Sequence, residues 1–175
     1  RSEGRRFSGW WKERLIDFCR DELGAGLFTD QKWVNLAPCF FDEVKVLRSP
    51  AFNVATWNLS TRIATGSVKS GIRINDEPLG FYHFSGFDSG AQERQLKIYG
   101  DHSPVLFELR KWYLNACEQY GQSELGKTPC IYSVFEDGSS IEDGQRLLYR
   151  DRTDLQQTFP DPFGTEHFEA ELTGG

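Results

Sequence analysis

Apolar residues recur at helical spacing in several stretches of the chain, and each of these stretches predicts an amphipathic helix. In residues 7–23, Trp11, Leu15 and Phe18 fall on one side and charged residues on the other. We therefore expect this helix to turn an aromatic face to the core. By the same pattern, long helices are predicted over residues 7–23, 103–121 and 140–149.

A shorter helix is predicted after Thr29 or Asp30, because both residue types cap helix N-termini. It would direct Trp33 and Ala37 towards the core and end near Pro38. Capping alone would explain an aspartate at this place. The first turn of a helix is also where polar side chains collect at the rim of a pocket. Asp30 is therefore a candidate for a binding site as well.

Alternating and β-branched residues predict strands in the middle of the chain. One strand is expected over residues 44–48. Residues 72–75 and 81–84 are expected to pair as a β-hairpin, joined by a turn that contains Pro78. The polar residues 89–101 that follow are predicted to form a loop that covers a ligand.

The second strand of this hairpin is an aromatic run with one histidine. Because side chains alternate along a strand, Tyr82 and Phe84 should face one way, and Phe81 and His83 the other. A histidine in such a strand is more often an ordinary hydrogen-bonded residue than a ligand to a metal. The segment taken alone favours that ordinary role.

A small, polar segment follows His83 directly. Ser85 and Gly86 offer backbone N–H groups without bulky side chains, which is what an anionic oxygen needs for close approach. A histidine nitrogen and free amides together suit a metal-bound diphosphate. The run 83–86 is therefore a candidate anion site.

Composition narrows the class of protein. The chain has 175 residues, the size of one domain, and a net charge of −6, which argues against a broad nucleic-acid interface. Its four cysteines have no C-x-x-C spacing, so a zinc site is not expected. Cys19 and Cys117 fall on apolar helix faces, which predicts buried thiols in a reducing, cytosolic compartment.

Two further features concern the ends of the chain and the membrane. No methionine is present, so we expect a fragment or a processed chain with a neighbouring segment elsewhere. No stretch has the uninterrupted apolar length of a membrane span.

Three segments in order, residues 28–35, 52–58 and 83–86, resemble the C-terminal half of nucleotide-sugar glycosyltransferases of the GT-A fold. The likeness is to the retaining kind typified by glycogenin and the lipopolysaccharide galactosyltransferases. It covers roughly residues 7–100. The remainder resembles the accessory region of related bacterial sugar transferases.

The resemblance implies a metal site beside the donor diphosphate. His83 would be a ligand to Mn²⁺ or Mg²⁺, with Ser85 and Gly86 next to the phosphates. The lysine that usually follows the histidine motif is missing, which leaves Lys97 or Arg94 for that diphosphate contact. The family's Asp-x-Asp is also missing, so it would belong to a neighbouring N-terminal half, or the chain would not be a competent transferase alone.

The resemblance further implies which residues meet the sugars. Asp30 and Gln31 would be catalytic, with the carboxylate holding sugar hydroxyls and the amide oxygen facing a developing oxocarbenium ion. Asn58 would contact the donor or acceptor sugar. Lys32 stands where the family often has an acidic residue, which changes the expected acceptor contacts.

The expected fold is therefore α/β, with the C-terminal part of a GT-A-like mixed sheet over residues 1–100 and a helical accessory region over residues 101–175. The expected function is metal-dependent transfer of a sugar from a nucleotide diphosphate to a saccharide-type acceptor, in bacterial polysaccharide or lipopolysaccharide biosynthesis. The expected location is the cytoplasm, with the inner face of the membrane as an alternative. A noncatalytic carbohydrate-binding or interaction module is the alternative function. A hydrolase using Glu136 and Asp137 has little support, because adjacent residues seldom converge on one bond.

Overall fold

The computed structural model describes residues 2–164, which form two compact units, residues 2–110 and residues 111–164. The predicted mixed α and β class is confirmed. The helices of the first unit are α1 (Ser2–Phe18), α2 (Gln31–Val34), α3 (Ala37–Phe40) and α4 (Ala91–Tyr99). Helix α5 (Val105–Gln119) spans the boundary between the two units. Those that follow are α6 (Gln122–Leu125), α7 (Asp143–Asp151) and α8 (Thr153–Thr158).

The strands are short and antiparallel. They are β1 (Asp21–Glu22), β2 (Leu27–Phe28), β3 (Ala64–Ser67), β4 (Gly71–Ile74) and β5 (Glu77–Pro78). Strand β1 pairs with β2, and β4 lies between β3 and β5 in a three-stranded sheet. Asn75 and Asp76 both have positive φ, of 47° and 70°, which makes the tight turn that joins β4 to β5.

The predicted hairpin between residues 72–75 and 81–84 is wrong. Strand β4 pairs with β3 and β5, and the tight turn after it returns the chain onto β4 at once. Residues 81–84 instead lie beside an earlier loop, where Tyr82 forms a single parallel bridge with Val54. The local sequence predicted that residues 81–84 are extended, but it did not predict that they pair with the loop around Val54.

Two other predicted elements differ from the structure. Residues 44–48 are exposed and belong to no strand, because the described chain places no partner strand beside them. The polar stretch 89–101 is not a covering loop but contains helix α4. Its buried Gln92 and Leu96 lie four residues apart, on the side that packs against the 3-10 turn of residues 56–61.

The main core lies within residues 51–109. Its buried members come from the loop before β3, from the three-stranded sheet, from the segment after β5 and from helices α4 and α5: Ala51, Val54, Leu59, Ala64, Ile72, Ile74, Tyr82, Leu96, Val105, Leu106 and Leu109. The helix predicted after Ser103-Pro104 is confirmed as α5. The Ser103 hydroxyl is buried and accepts a hydrogen bond of 2.9 Å from the Ala64 amide, which ties the start of α5 to β3.

Residues 2–41 form an aromatic layer that is much more open. Helix α1 has no buried residue, yet its Phe7 and Trp10 rings both lie 5.5 Å from the ring of Phe41. The helix ends at Phe18, before the predicted end, and Cys19 is exposed. The prediction of a buried thiol at Cys19 is therefore wrong, because α1 presents its aromatic side to a thin layer rather than to a deep core.

The second unit has a small core of its own. Phe135 and Leu155 are buried, and Ile141, Tyr149 and Phe159 pack against them. The predicted helix over residues 140–149 is found as α7. Within residues 2–164, no helix has both the length and the apolar character that crossing a bilayer requires.

Candidate functional site

A cleft of about 430 Å³ brings together three of the predicted site residues, Asp30, Gln31 and His83. It lies within the first unit. We call it the His83 cleft, and its lining residues are Asp30, Gln31, Val34, Asn35, Asn53, Trp57 and His83. Residues far apart in sequence thus form one concave surface with a carboxylate, amides, an imidazole and an indole.

Asp30 is the residue directly before α2, and it lines the cleft from that position. Its side chain makes no hydrogen bond to the helix N-terminus, so capping does not explain this aspartate. Thr29 holds it in place: the threonine hydroxyl contacts Asp30 Oδ1 at 3.2 Å, and the threonine amide donates to the Arg20 carbonyl at 2.8 Å. Thr29 has a φ of 46°, an uncommon conformation for a β-branched residue. Such backbone strain concentrates at functional sites.

His83 is positioned by backbone pairing between residues 51–54 and 80–83. The Val54 amide donates to the Phe81 carbonyl at 3.0 Å, and the His83 amide donates to the Val54 carbonyl at 2.7 Å. The amides of Gly80 and Phe81 both donate to the Ala51 carbonyl. Because Ala51 and Val54 are core residues, this pairing anchors His83 to the core.

The imidazole of His83 lies among aromatic rings. Its centroid is 5.1 Å from the Trp57 ring, in an edge-on arrangement, and 6.3 Å from the Phe81 ring. The predicted alternation along residues 81–84 is confirmed, since Tyr82 is buried and its ring lies 4.7 Å from that of Phe84, tilted by 57°, on the other side. Among the described residues, no hydrogen bond involves a ring nitrogen of His83, which leaves these nitrogens for a ligand.

Asn53 and Asn58 have different roles in the structure. Asn53 lines the cleft and has a φ of 51°. Asn58 does not line it: its Nδ2 donates to the Asn53 carbonyl at 2.9 Å and its Oδ1 accepts from the Ala55 amide at 3.1 Å. Both polar atoms of Asn58 thus hold the loop that carries Asn53, and its predicted sugar contact stays a prediction.

None of the three residues predicted to bind the diphosphate lines the His83 cleft. Gly86 has a φ of 67°, and a Cβ there would lie 3.0 Å from the Ala91 Cβ, so this position requires glycine for the start of α4. Ser85 is exposed. Lys97 Nζ lies 2.8 Å from Glu93 Oε1, and this hydrogen bond lowers the pKa of Glu93.

A metal in this cleft would draw on few protein ligands. Asp30 and His83 offer the oxygen and nitrogen donors that Mn²⁺ accepts. Among residues 2–164, no group of three or more His, Cys, Asp or Glu side chains is arranged to hold a metal ion. A metal held by Asp30 and His83 would therefore take its remaining ligands from water or from substrate oxygens.

Trp57 and Asn35 line the cleft but were not predicted. Trp57 is 53% exposed, so part of its indole is open to a ligand in the cleft. It stands in a polar stretch without helical or strand spacing, and that context is the available sequence signal. Asn35 follows the short helix α2 and needs the three-dimensional fold to be placed.

The chain is similar to two proteins of Bacillus subtilis strain 168. It is 36% identical to the uncharacterized protein YfnF over 80 residues, which is 45% of this chain and 26% of YfnF. It is 30% identical to the uncharacterized protein YfnD over 115 residues, which is 58% of this chain and 37% of YfnD. The chain thus spans well under half the length of either relative. No family model matches it, and no solved structure matches it.

Proposed function

We propose that the chain is part of a metal-dependent glycosyltransferase with a GT-A-like fold, which transfers a sugar from a nucleotide diphosphate to a saccharide-type acceptor. The observation that supports the proposal is the meeting of Asp30, Gln31 and His83 in one cleft. These residues come from two of the separate segments that resemble that family.

The chemistry of the His83 cleft suits a sugar. The Asp30 carboxylate and the amides of Gln31, Asn35 and Asn53 can accept and donate hydrogen bonds to hydroxyl groups. Trp57 adds an exposed ring face for the apolar side of a sugar ring. Convergent polar groups beside an aromatic wall are typical of small-molecule sites.

The proposed roles follow from these side chains. His83 would hold the metal through a ring nitrogen, and the chemistry supplied by a bound metal would be positive charge beside the oxygen that leaves with the diphosphate. Asp30 orients sugar hydroxyls. The Gln31 amide oxygen faces the positive charge that develops on the sugar, where a preorganised dipole lowers the barrier.

A noncatalytic saccharide-binding module is the second candidate. Exposed Trp57 and the three amides can bind a sugar without a metal. The two candidates differ in one observable property, because the transferase requires metal-dependent nucleotide binding and the module does not.

The test is calorimetric binding of UDP, GDP, CDP and dTDP, each with and without Mn²⁺, on the full-length protein. We expect one nucleotide to bind only with Mn²⁺, and we expect His83→Ala to weaken its binding at least tenfold. Tyr120→Ala, which also removes one exposed ring, is the control, because Tyr120 does not line the cleft.

The control should bind the nucleotide as the wild type does. If a folded wild type binds none of the nucleotides, the transferase proposal fails. Saccharide binding without metal by the same protein would then support the module.

A further inference from the structure

A second cleft adjoins the first and has a different chemical character. Its volume is about 650 Å³, and it shares Asn53 with the His83 cleft. We call it the arginine cleft, and its lining residues are Val46, Leu47, Arg48, Ser49, Phe52, Asn53, Arg62 and Phe81. A ligand that occupies both clefts passes over Asn53.

The two arginines of this cleft are not neutralised. Within the described chain, Arg48 has neither an ion pair nor a hydrogen bond, and Arg62 has no acidic partner. Arg62 donates from one guanidinium nitrogen to the Asn53 carbonyl at 3.0 Å, so it is held in place with its other N–H groups available. The Ser49 hydroxyl contacts the Glu77 carboxylate and is already used.

Two phenylalanine rings give this cleft an apolar surface. Phe52 is 43% exposed and Phe81 is 52% exposed. The Phe52 ring lies directly against Gly80, where an added Cβ would be 2.7 Å from the Phe52 Cζ. Gly80 is itself held by its hydrogen bond to Ala51, so the ring has a firm support.

We propose that the arginine cleft binds the phosphate-bearing part of a substrate whose sugar occupies the His83 cleft. The proposal rests on the proposed function and names a binding site for it. Guanidinium groups match phosphate oxygens in a planar, bidentate geometry, which makes arginine the usual residue for this recognition. In a chain with a net charge of −6, two unpaired arginines in one cleft provide a local site for an anion.

This site differs from the one predicted from the sequence. Lys97, the predicted diphosphate contact, already pairs with Glu93 at 2.8 Å on the exposed side of α4. Arg48 and Arg62 carry no such acidic partner within the described residues. Arg94, the other predicted diphosphate contact, lines neither of the two clefts, whereas Arg48 and Arg62 line one cleft together.

The phosphate can come from two sources, the diphosphate of the donor or a phosphorylated acceptor. The two arginines would bind the phosphate oxygens of either one in the same way. Inorganic pyrophosphate and UDP probe the first source, and glucose 6-phosphate probes the second. The probe that binds with the higher affinity, and that displaces the other in competition, identifies the source.

The experiment compares full-length wild type with Arg48→Gln and Arg62→Lys in calorimetric titrations with each of these probes. Arg48 has no partner to lose, so Arg48→Gln should fold normally. Arg62→Lys keeps a donor for the Asn53 carbonyl but loses the planar guanidinium group that binds a phosphate in a bidentate way. We expect each variant to weaken phosphate binding about tenfold, which is the scale of one charge-assisted hydrogen bond.

Two further variants serve as references. Arg5→Gln removes an exposed arginine on α1, far in sequence from the cleft, and should leave binding unchanged. Lys97→Gln removes the competing candidate and should also leave it unchanged. Three results would each overturn the proposal. Arg5→Gln could lose as much phosphate affinity as the cleft variants, or Lys97→Gln could be the variant that loses it while the cleft variants do not. The third is that the folded wild type binds no phosphate.

A separate measurement distinguishes failure of the arginine site from failure of the proposed function. Quenching of Trp57 fluorescence by a neutral saccharide, measured against Trp57→Phe, reports on the His83 cleft alone. A protein that binds the saccharide but no phosphate overturns the arginine site and leaves a sugar-directed function in place. Loss of phosphate binding in the arginine variants with no saccharide response supports the arginine site and counts against the proposed function.

Discussion

Residues 2–41 and residues 51–110 both supply lining residues to the His83 cleft, but they are stabilised in different ways. Asn53, Trp57 and His83 belong to the region whose core contains Val54, Leu59 and other fully buried side chains. Asp30, Gln31, Val34 and Asn35 belong to the aromatic layer, in which Ala37 and Phe41 are the buried hydrophobic residues.

The difference indicates which residues of the site are rigid and which can adapt. His83 is held by backbone hydrogen bonds to core residues, whereas Asp30 is held by Thr29 and by contacts among half-buried rings. Regions with few buried apolar contacts open locally at lower free energy than packed cores. We therefore infer that the Asp30 side adjusts around a ligand while the His83 side keeps its geometry.

The largest expected effect comes from the core. Leu59→Ala should lower the free energy of unfolding by about 3 kcal/mol, because Leu59 is fully buried and its truncation leaves a cavity. Leu23→Ala is the control from the aromatic layer, where Leu23 is largely exposed, and it should cost less than about 0.5 kcal/mol. Urea unfolding measures both. If both variants lost the same free energy of unfolding, the two regions would not differ in how they are stabilised.

A second effect of the core appears at high pH. Burial raises the pKa of Tyr82 from 10.0 to about 12, and the nearby Arg110 opposes this only in part. The protonated form is favoured in the folded state, so this stability is complete below pH 10 and is lost between about pH 10 and pH 12. The shift corresponds to about 2–3 kcal/mol.

Tyr82→Phe separates this titration from other alkaline effects. The hydroxyl of Tyr82 is buried and has no hydrogen-bond partner within the described residues, so its removal should cost little near pH 7. Between pH 10 and pH 12 the variant should lose less stability than the wild type in urea unfolding. Parallel curves for the two proteins would show that Tyr82 does not titrate in this way.

Local sequence patterns predicted the parts of the fold that depend on neighbours in the chain. Helices α5 and α7 have regular apolar spacing, and Ser103-Pro104 marks the start of α5. The alternation around His83 and the position of Asp30 before α2 were also predictable, because each depends on a few adjacent residues. These features made Asp30 and His83 candidates, whereas Gln31 was a candidate only through the resemblance to the glycosyltransferase family.

Features that depend on distant contacts were not predictable in the same way. The partner of residues 81–84 is a loop about thirty residues earlier, and no local signal encodes that pairing. Helix α4 was missed because its buried Gln92 is polar. The exposure of Trp57 and the lack of an acidic partner for Arg48 depend on what the fold leaves uncovered, which periodicity does not describe.

The smallest expected change in stability tests the adaptable side of the cleft. Thr29→Gly relieves the unfavourable φ of 46°, but it also loses the contact between the hydroxyl and Asp30 and adds freedom to the unfolded chain. These effects oppose one another, so the free energy of unfolding should change by less than about 1 kcal/mol. Binding of the nucleotide that the wild type accepts should nevertheless weaken severalfold, because Asp30 loses its tether.

Asp76→Gly is the matched control for this change. Asp76 also has a positive φ, of 70°, but it lies in the turn between β4 and β5 and does not line the cleft. The substitution should likewise leave stability nearly unchanged, and nucleotide binding should stay at the wild-type level. If Thr29→Gly binds as tightly as Asp76→Gly, Thr29 does not position Asp30 for the ligand, and the aromatic layer holds that carboxylate by packing alone.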